Sequence, residues 1–162
     1  MTNNYVVQTA RVLLLLGMFV ACGSPAMAGT TCSLGSVVGH GGFTISGSFL
    51  LPTGGVPVVA VGTYMIGADG SFSGTATRSV GGVLNEETIA GSLAVNANCS
   101  GTVTAQVFQA GQLTHTVDFA VVFDDNGNEI RGMITSLVLS NGTSIPSVVT
   151  VEGRRLTSSS DD

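Results

Sequence analysis

Between residues 43 and 156 the chain repeats one pattern, in which apolar and small polar residues alternate and each run ends in Gly, Asn or Asp. Alternation with a period of two puts one set of side chains on each face of a pleated strand, and the punctuating residues are those of tight turns. In the first run, Phe43, Ile45 and Phe49 share a face and the hydroxyl residues share the other. The second, 56–66, is apolar on both faces, which predicts cover on both sides from core, helix or a partner subunit. Asp69-Gly70 turns the chain into a third run, 71–80, with Phe72, Gly74 and Ala76 on one face, and Gly81-Gly82 interrupts it. Further runs follow at 88–96, 102–109, 113–124, 129–140 and 147–156. The sixth places Leu113, His115, Val117, Phe119, Val121 and Phe123 on one face.

About eight strands with short connections leave no room for crossovers, so the expected fold class is all-β, an antiparallel up-and-down meander. Closing such a sheet into a β-barrel removes both exposed edges, which favours the barrel; a β-sandwich satisfies the same alternation and is the alternative. No stretch after Ala28 has a helical period, so any helix is short. At 162 residues the chain supports one domain.

Residues 1–28 read as an address. Arg11 precedes an apolar run from Val12 to Cys22, and Ala26-Met27-Ala28 before Gly29 is a small-x-small cleavage site, so 1–28 is expected to be a signal peptide. The run is shorter than the roughly 20 residues that span a bilayer, so no stable membrane span is expected. The rival reading is a lipobox ending at Cys22, whose acylation would anchor the chain through lipid. The remaining divisions are an N-terminal lead at 29–42, the barrel at 43–156 and a disordered polar tail at 157–162.

Cleavage after Ala28 leaves Cys32 and Cys99, an even count for an oxidising compartment, and a disulfide between them is expected. Two cysteines without a cluster of His or carboxylates supply too few ligands for a metal, so no metal site is expected. The chain contains no Lys and has a formal net charge of -5. Losing 1–28 removes one Arg and no acid, leaving the secreted or periplasmic form more negative still. Such a surface does not neutralise phosphates, and nucleic acid is not an expected partner.

Three stretches carry a family resemblance. They are Ala60-Val61-Gly62-Thr63-Tyr64 with Ala68-Asp69-Gly70-Ser71-Phe72-Ser73-Gly74; Gly91-Ser92-Leu93-Ala94-Val95-Asn96-Ala97-Asn98-Cys99-Ser100-Gly101-Thr102; and Phe119-Ala120-Val121-Val122-Phe123 with Asn128-Glu129-Ile130-Arg131. On these the chain resembles an uncharacterised family of short, exported bacterial β-barrel-like proteins. Asn98 stands where Asp is more usual before the cysteine. The strand pattern is also similar to the barrels of allene oxide cyclase, dirigent proteins and lipocalins. That likeness implies a barrel and carries over no catalytic residue, since function does not follow from fold.

Titratable chemistry is sparse. The two histidines are His40, in the glycine-rich lead, and His115, on the apolar face of the sixth run. If that face lines a cavity, the imidazole is placed to exchange a proton or hydrogen bond with a ligand; the plainer reading is a strand-end histidine reaching water. Asp118 shares the other face with Thr114 and Thr116 and is expected to face solvent, with a buried base as its functional alternative. Arg131 and Glu129 are placed to pair with charges opposite them. The oxygen-rich segment 124–129 has its Gly misplaced for a calcium loop and reads as a turn.

The composite expectation is a non-enzymatic exported barrel that needs no cofactor and either binds a small apolar ligand or acts structurally at the cell envelope. The alternative is a cofactor-free isomerase or cyclase steering an apolar substrate with His115 or Asp118. Self-association through an apolar outer wall of Val58, Val59, Val61 and Met65 is a further expectation. Mass spectrometry of the exported protein is expected to find Gly29 at the N-terminus; a diacylglyceryl Cys22 there would establish the lipid-anchored form instead.

Overall fold

The computed structural model describes residues 31–156; the signal peptide at 1–28 and the tail at 157–162 lie outside the described residues. Eight strands follow one another: β1 (Gly39–Leu51), β2 (Gly54–Ile66), β3 (Ser71–Val80), β4 (Val83–Val95), β5 (Ser100–Gln109), β6 (Gln112–Asp124), β7 (Glu129–Leu139) and β8 (Ser147–Arg155). Each pairs with its successor antiparallel, and β8 returns to pair with β1 from Gly41↔Arg155 to Phe49↔Ser147. The sheet is therefore a closed barrel in sequence order. The meander and its closure are as the alternation predicted, and the sandwich is not adopted.

Alternation decides what lies inside. Phe43, Val58, Tyr64, Leu93, Val117 and Val121 point inward and are buried, whereas the Ser and Thr residues between them form the outer face. Outer hydroxyls meet across strands, as in Thr63 Oγ1 to Thr75 Oγ1 at 3.4 Å and Ser46 Oγ to Thr150 Oγ1 at 3.4 Å. On β2 the expected outer wall needs one correction: Val58 is in the core, at 1% exposure, because it shares parity with Ala60 and Tyr64. Val59, Val61 and Met65 do face outward, 55%, 60% and 49% exposed, and none of the described residues covers them.

Two strands, β1 and β4, begin several residues earlier than their sequence signals suggest. β1 starts at Gly39 instead of Phe43, so His40 lies on a strand, exposed, and not in a flexible lead. The glycines there make room: a Cβ on Gly41 would come within 2.2 Å of the Tyr64 ring. Further along β1, Gly47 adopts φ 154° and a Cβ there would sit 2.1 Å from the Val148 carbonyl oxygen, so β8 packs against β1 at a place where only glycine fits. β4 starts at Val83 directly after the Gly81-Gly82 turn, which adds Glu86 and Glu87 to the sheet.

One end of the barrel is closed by a short helix, α1 (Leu34–Val37). Val37 is buried and Leu34 packs against the core. Arg155 at the end of β8 donates from Nη2 to the Ser36 carbonyl at 3.0 Å, and the 3-10 turn Asp125–Gly127 lies against the same helix. Cys32 and Cys99 form the expected disulfide, with Cα atoms 4.9 Å apart, tying the segment before α1 to the β4–β5 turn. Cys32 N–H also donates to the Ala97 carbonyl at 3.2 Å.

Ion pairs decorate the outside: Arg131 pairs with Asp124, and Arg154 Nε lies 3.9 Å from Glu129 Oε1. Among the described residues no helix is long and apolar enough to cross a membrane.

The disulfide closes a sequence separation of 67 residues, for which the chain-entropy model gives about 4 kcal/mol. Cys32→Ser/Cys99→Ser is expected to lower stability in denaturant unfolding by up to about that amount while far-ultraviolet circular dichroism stays β-type. A midpoint unchanged by the double substitution would contradict this role.

Candidate functional site

The barrel is not filled by its side chains. A cavity runs through its interior, and the centre of a water molecule has about 90 Å³ to move in there, so the gap between the walls is larger still. Its walls are almost wholly apolar, among them Phe43, Tyr64, Val117, Phe119 and Ile134. Three lining residues break that pattern: Arg78, Glu87 and His115. A pocket with an apolar body and a few convergent polar groups is the usual form of a small-molecule site.

The polar groups gather near the β3–β4 and β5–β6 hairpins, at the end opposite α1. Ala76 and Arg78 share the inner face of β3, and Glu87 and Ile89 that of β4. Glu87 Oε1 accepts from Arg78 Nε at 2.9 Å, Arg78 Nη2 at 2.6 Å and, from β5, Gln109 Nε2 at 2.9 Å. The Glu87 side chain is only 4% exposed and that of Arg78 14%. Removing one partner of such a pair strands a buried charge, at a penalty of about 3 to 5 kcal/mol, whereas replacing both by apolar groups is often neutral. A pair kept inside an otherwise apolar barrel is therefore weak evidence for added stability.

A β-bulge places His115 beside this pair. Val107 pairs with His115 and Phe108 with Leu113, so Thr114 is the extra residue on β6. The inserted residue reverses parity, and Leu113 turns outward, exposed, instead of sharing the inner face with His115 as the alternation implied. His115 itself does not reach water at the strand end; it is 6% exposed and faces the cavity. Thr114 Oγ1 donates to the Val107 carbonyl at 3.0 Å and lies 2.9 Å from His115 Nδ1. Burial, aided by the Arg78 charge and opposed by Glu87, pushes the His115 pKa down to about 4, so the ring is neutral at pH 7.

Asp118, the other candidate, faces away from the cavity as expected, and its alternative as a buried base is not adopted. It lies on the outer face, where it accepts from Thr104 Oγ1 at 2.7 Å, and it contributes nothing to the cavity. Glu87 was missed because β4 was expected to begin at residue 88, and Arg78 and Gln109 because the faces of their strands were not followed to the strand ends. Extending by two residues the faces that hold Phe72, Gly74 and Ala76 on β3, and Ile89 and Leu93 on β4, would have found the ion pair. Tyr64 bounds the cavity towards α1, and its hydroxyl pKa is raised by burial against the lowering effect of Arg155. Among the described residues no group of His, Cys, Asp and Glu is arranged to hold a metal ion.

No family model matches this sequence, and no curated protein matches it. Solved structures similar to it include redesigned β-barrels. EF1p2_mFAP2b bound to DFHBI aligns with a TM-score of 0.50 at 7% identity, over 75% of this chain and 95% of that one. The redesigned β-barrel mFAP1 bound to DFHBI aligns with a TM-score of 0.49 at 11% identity, over 75% of this chain and 97% of that one. At 7% identity the first of these likenesses speaks for the fold alone.

The neutral His115 makes stability depend on pH. Between about pH 6.5 and 4 the unfolded chain takes up a proton at this ring that the folded chain does not, so stability falls as pH falls through that window and levels off below it. Compared with His115→Phe, in which carboxylate titration elsewhere is common to both proteins, the wild type is expected to lose more stability between pH 7 and pH 4. Parallel stability curves for the two would refute a depressed pKa.

Proposed function

We propose that this chain is an exported, non-enzymatic barrel that binds a small apolar molecule in its interior. The observation that carries the reading is the cavity: an unfilled barrel core with apolar walls and one polar cluster at the end opposite α1. Closely packed interiors are the rule, so a core that leaves space at this scale forgoes dispersion contacts that a few larger side chains would restore. Ala60, Ala76 and Ala105 stand on the inner wall where bulkier residues would close the gap. Export is supported by the leader at 1–28 and by the Cys32–Cys99 bond, which belongs to an oxidising compartment. The bacterial envelope setting rests on the family resemblance of the three stretches quoted from the sequence.

The cyclase reading has one observation in its favour, a buried imidazole on the cavity wall. An imidazole with its pKa near 4 is a weak base at neutral pH, and Asp118 stands outside, so binding is the better account. Self-association is supported by the bare stripe of Val59, Val61 and Met65 on β2.

Binding is tested by titrating the isotope-labelled protein with p-xylene and following the amide signals of Val117, Ile134 and Ala105. Saturable shifts are expected, with a dissociation constant below about 1 mM, equivalent to roughly 4 kcal/mol. Ala105→Phe, which grows a side chain into the cavity, is expected to abolish them while the protein stays folded. Shifts that persist in Ala105→Phe, or none in the wild type, would remove the interior as the binding site.

A further inference from the structure

The polar end of the cavity has a direction that its hydrogen bonds define. Thr114 Oγ1 carries a single proton, and the Val107 carbonyl, which only accepts, takes it at 3.0 Å. Towards His115 Nδ1, 2.9 Å away, the hydroxyl therefore has only lone pairs to offer, so the ring proton of the neutral imidazole resides on Nδ1. Nε2 is left as a bare acceptor. It is the ring atom set farthest along the side chain from the β6 backbone, His115 lines the cavity, and Nε2 has no protein partner among the described residues. No buried side-chain polar atom lacks a partner among the described residues, so Nε2 is not sealed in protein but opens onto free space.

The neighbouring groups decide what that acceptor takes. Arg78 from β3 is already neutralised by Glu87 from β4, and Gln109 from β5 donates to the same carboxylate oxygen. An anionic ligand would bring a second negative charge beside Glu87 and place its oxygens against the Nε2 lone pair. A pure hydrocarbon would leave Nε2 unpaired in a dry site. We propose that the cavity selects a neutral apolar molecule bearing one hydroxyl, whose O–H donates to His115 Nε2. This rests on the interior being the binding site, and it names the ligand class.

The proton position is read without ligand, from the ring nitrogen shifts of the labelled protein at pH 7: Nδ1 protonated and Nε2 bare are expected. Ligand class is read from p-cresol and p-xylene, two molecules of one shape in which an O–H replaces a methyl. The ratio of their dissociation constants in the wild type is expected to favour p-cresol about tenfold more than in His115→Phe, the equivalent of one hydrogen bond. Thr114→Val keeps the ring but frees Nδ1 from its acceptor, and is expected to let the proton move to Nε2 and weaken the preference. It also serves should His115→Phe fail to fold.

A wild-type ring protonated on Nε2, a preference unchanged in both variants, or p-toluate binding more tightly than p-cresol would each overturn the assignment, even with p-xylene still bound inside. If neither p-cresol nor p-xylene binds, the interior site fails and the ligand class falls with it.

Discussion

Everything in this molecule follows from the hydrogen bonds between β1 and β8. They join the first strand to the last, so each strand of an eight-strand meander has a hydrogen-bonded neighbour on both sides. Closure also gives the sheet an inside. Before closure the period-two pattern separates an apolar face from a hydroxyl face; after it, the apolar face encloses a volume whose size depends on the girth of the barrel and on the side chains that fill it. Where those side chains are Ala or Gly, space remains.

The two ends of that space differ in kind. At the α1 end the contacts are those of a plug: Val37 in the core, Arg155 on the Ser36 carbonyl, and a disulfide holding the preceding segment in place. At the other end an ion pair, which also receives the Gln109 amide, and a neutral imidazole face an apolar void. Each of these polar groups would be more cheaply hydrated on the surface than desolvated here, and the low dielectric that makes their burial expensive also strengthens any hydrogen bond a ligand makes to them. The exposed stripe on β2 stands apart from both ends, on the outer wall.

Much of the fold was legible because a strand writes its environment into alternate residues. The strand order, most boundaries and the inward face of β1, with Phe43 and Ile45, could be read directly. The readings that failed did so for local reasons. Glycines at residues 39–42 look like a lead, yet they form part of β1 because Tyr64 needs the room that a missing side chain leaves. The Gly81-Gly82 pair was read as a longer interruption, which hid Glu87, and the inserted Thr114 turned Leu113 outward against its apparent parity.

The sequence by itself determined the class of fold, the alternation that separates core from surface and the pairing of Cys32 with Cys99, because each depends on short-range periodicity or on a count. Only the tertiary structure decided that the barrel is hollow and that Arg78, Glu87, Gln109 and His115 meet inside it. Those residues come from four different strands, and their meeting depends on the stagger of neighbouring strands and on a single bulge, quantities that no local pattern of residues encodes.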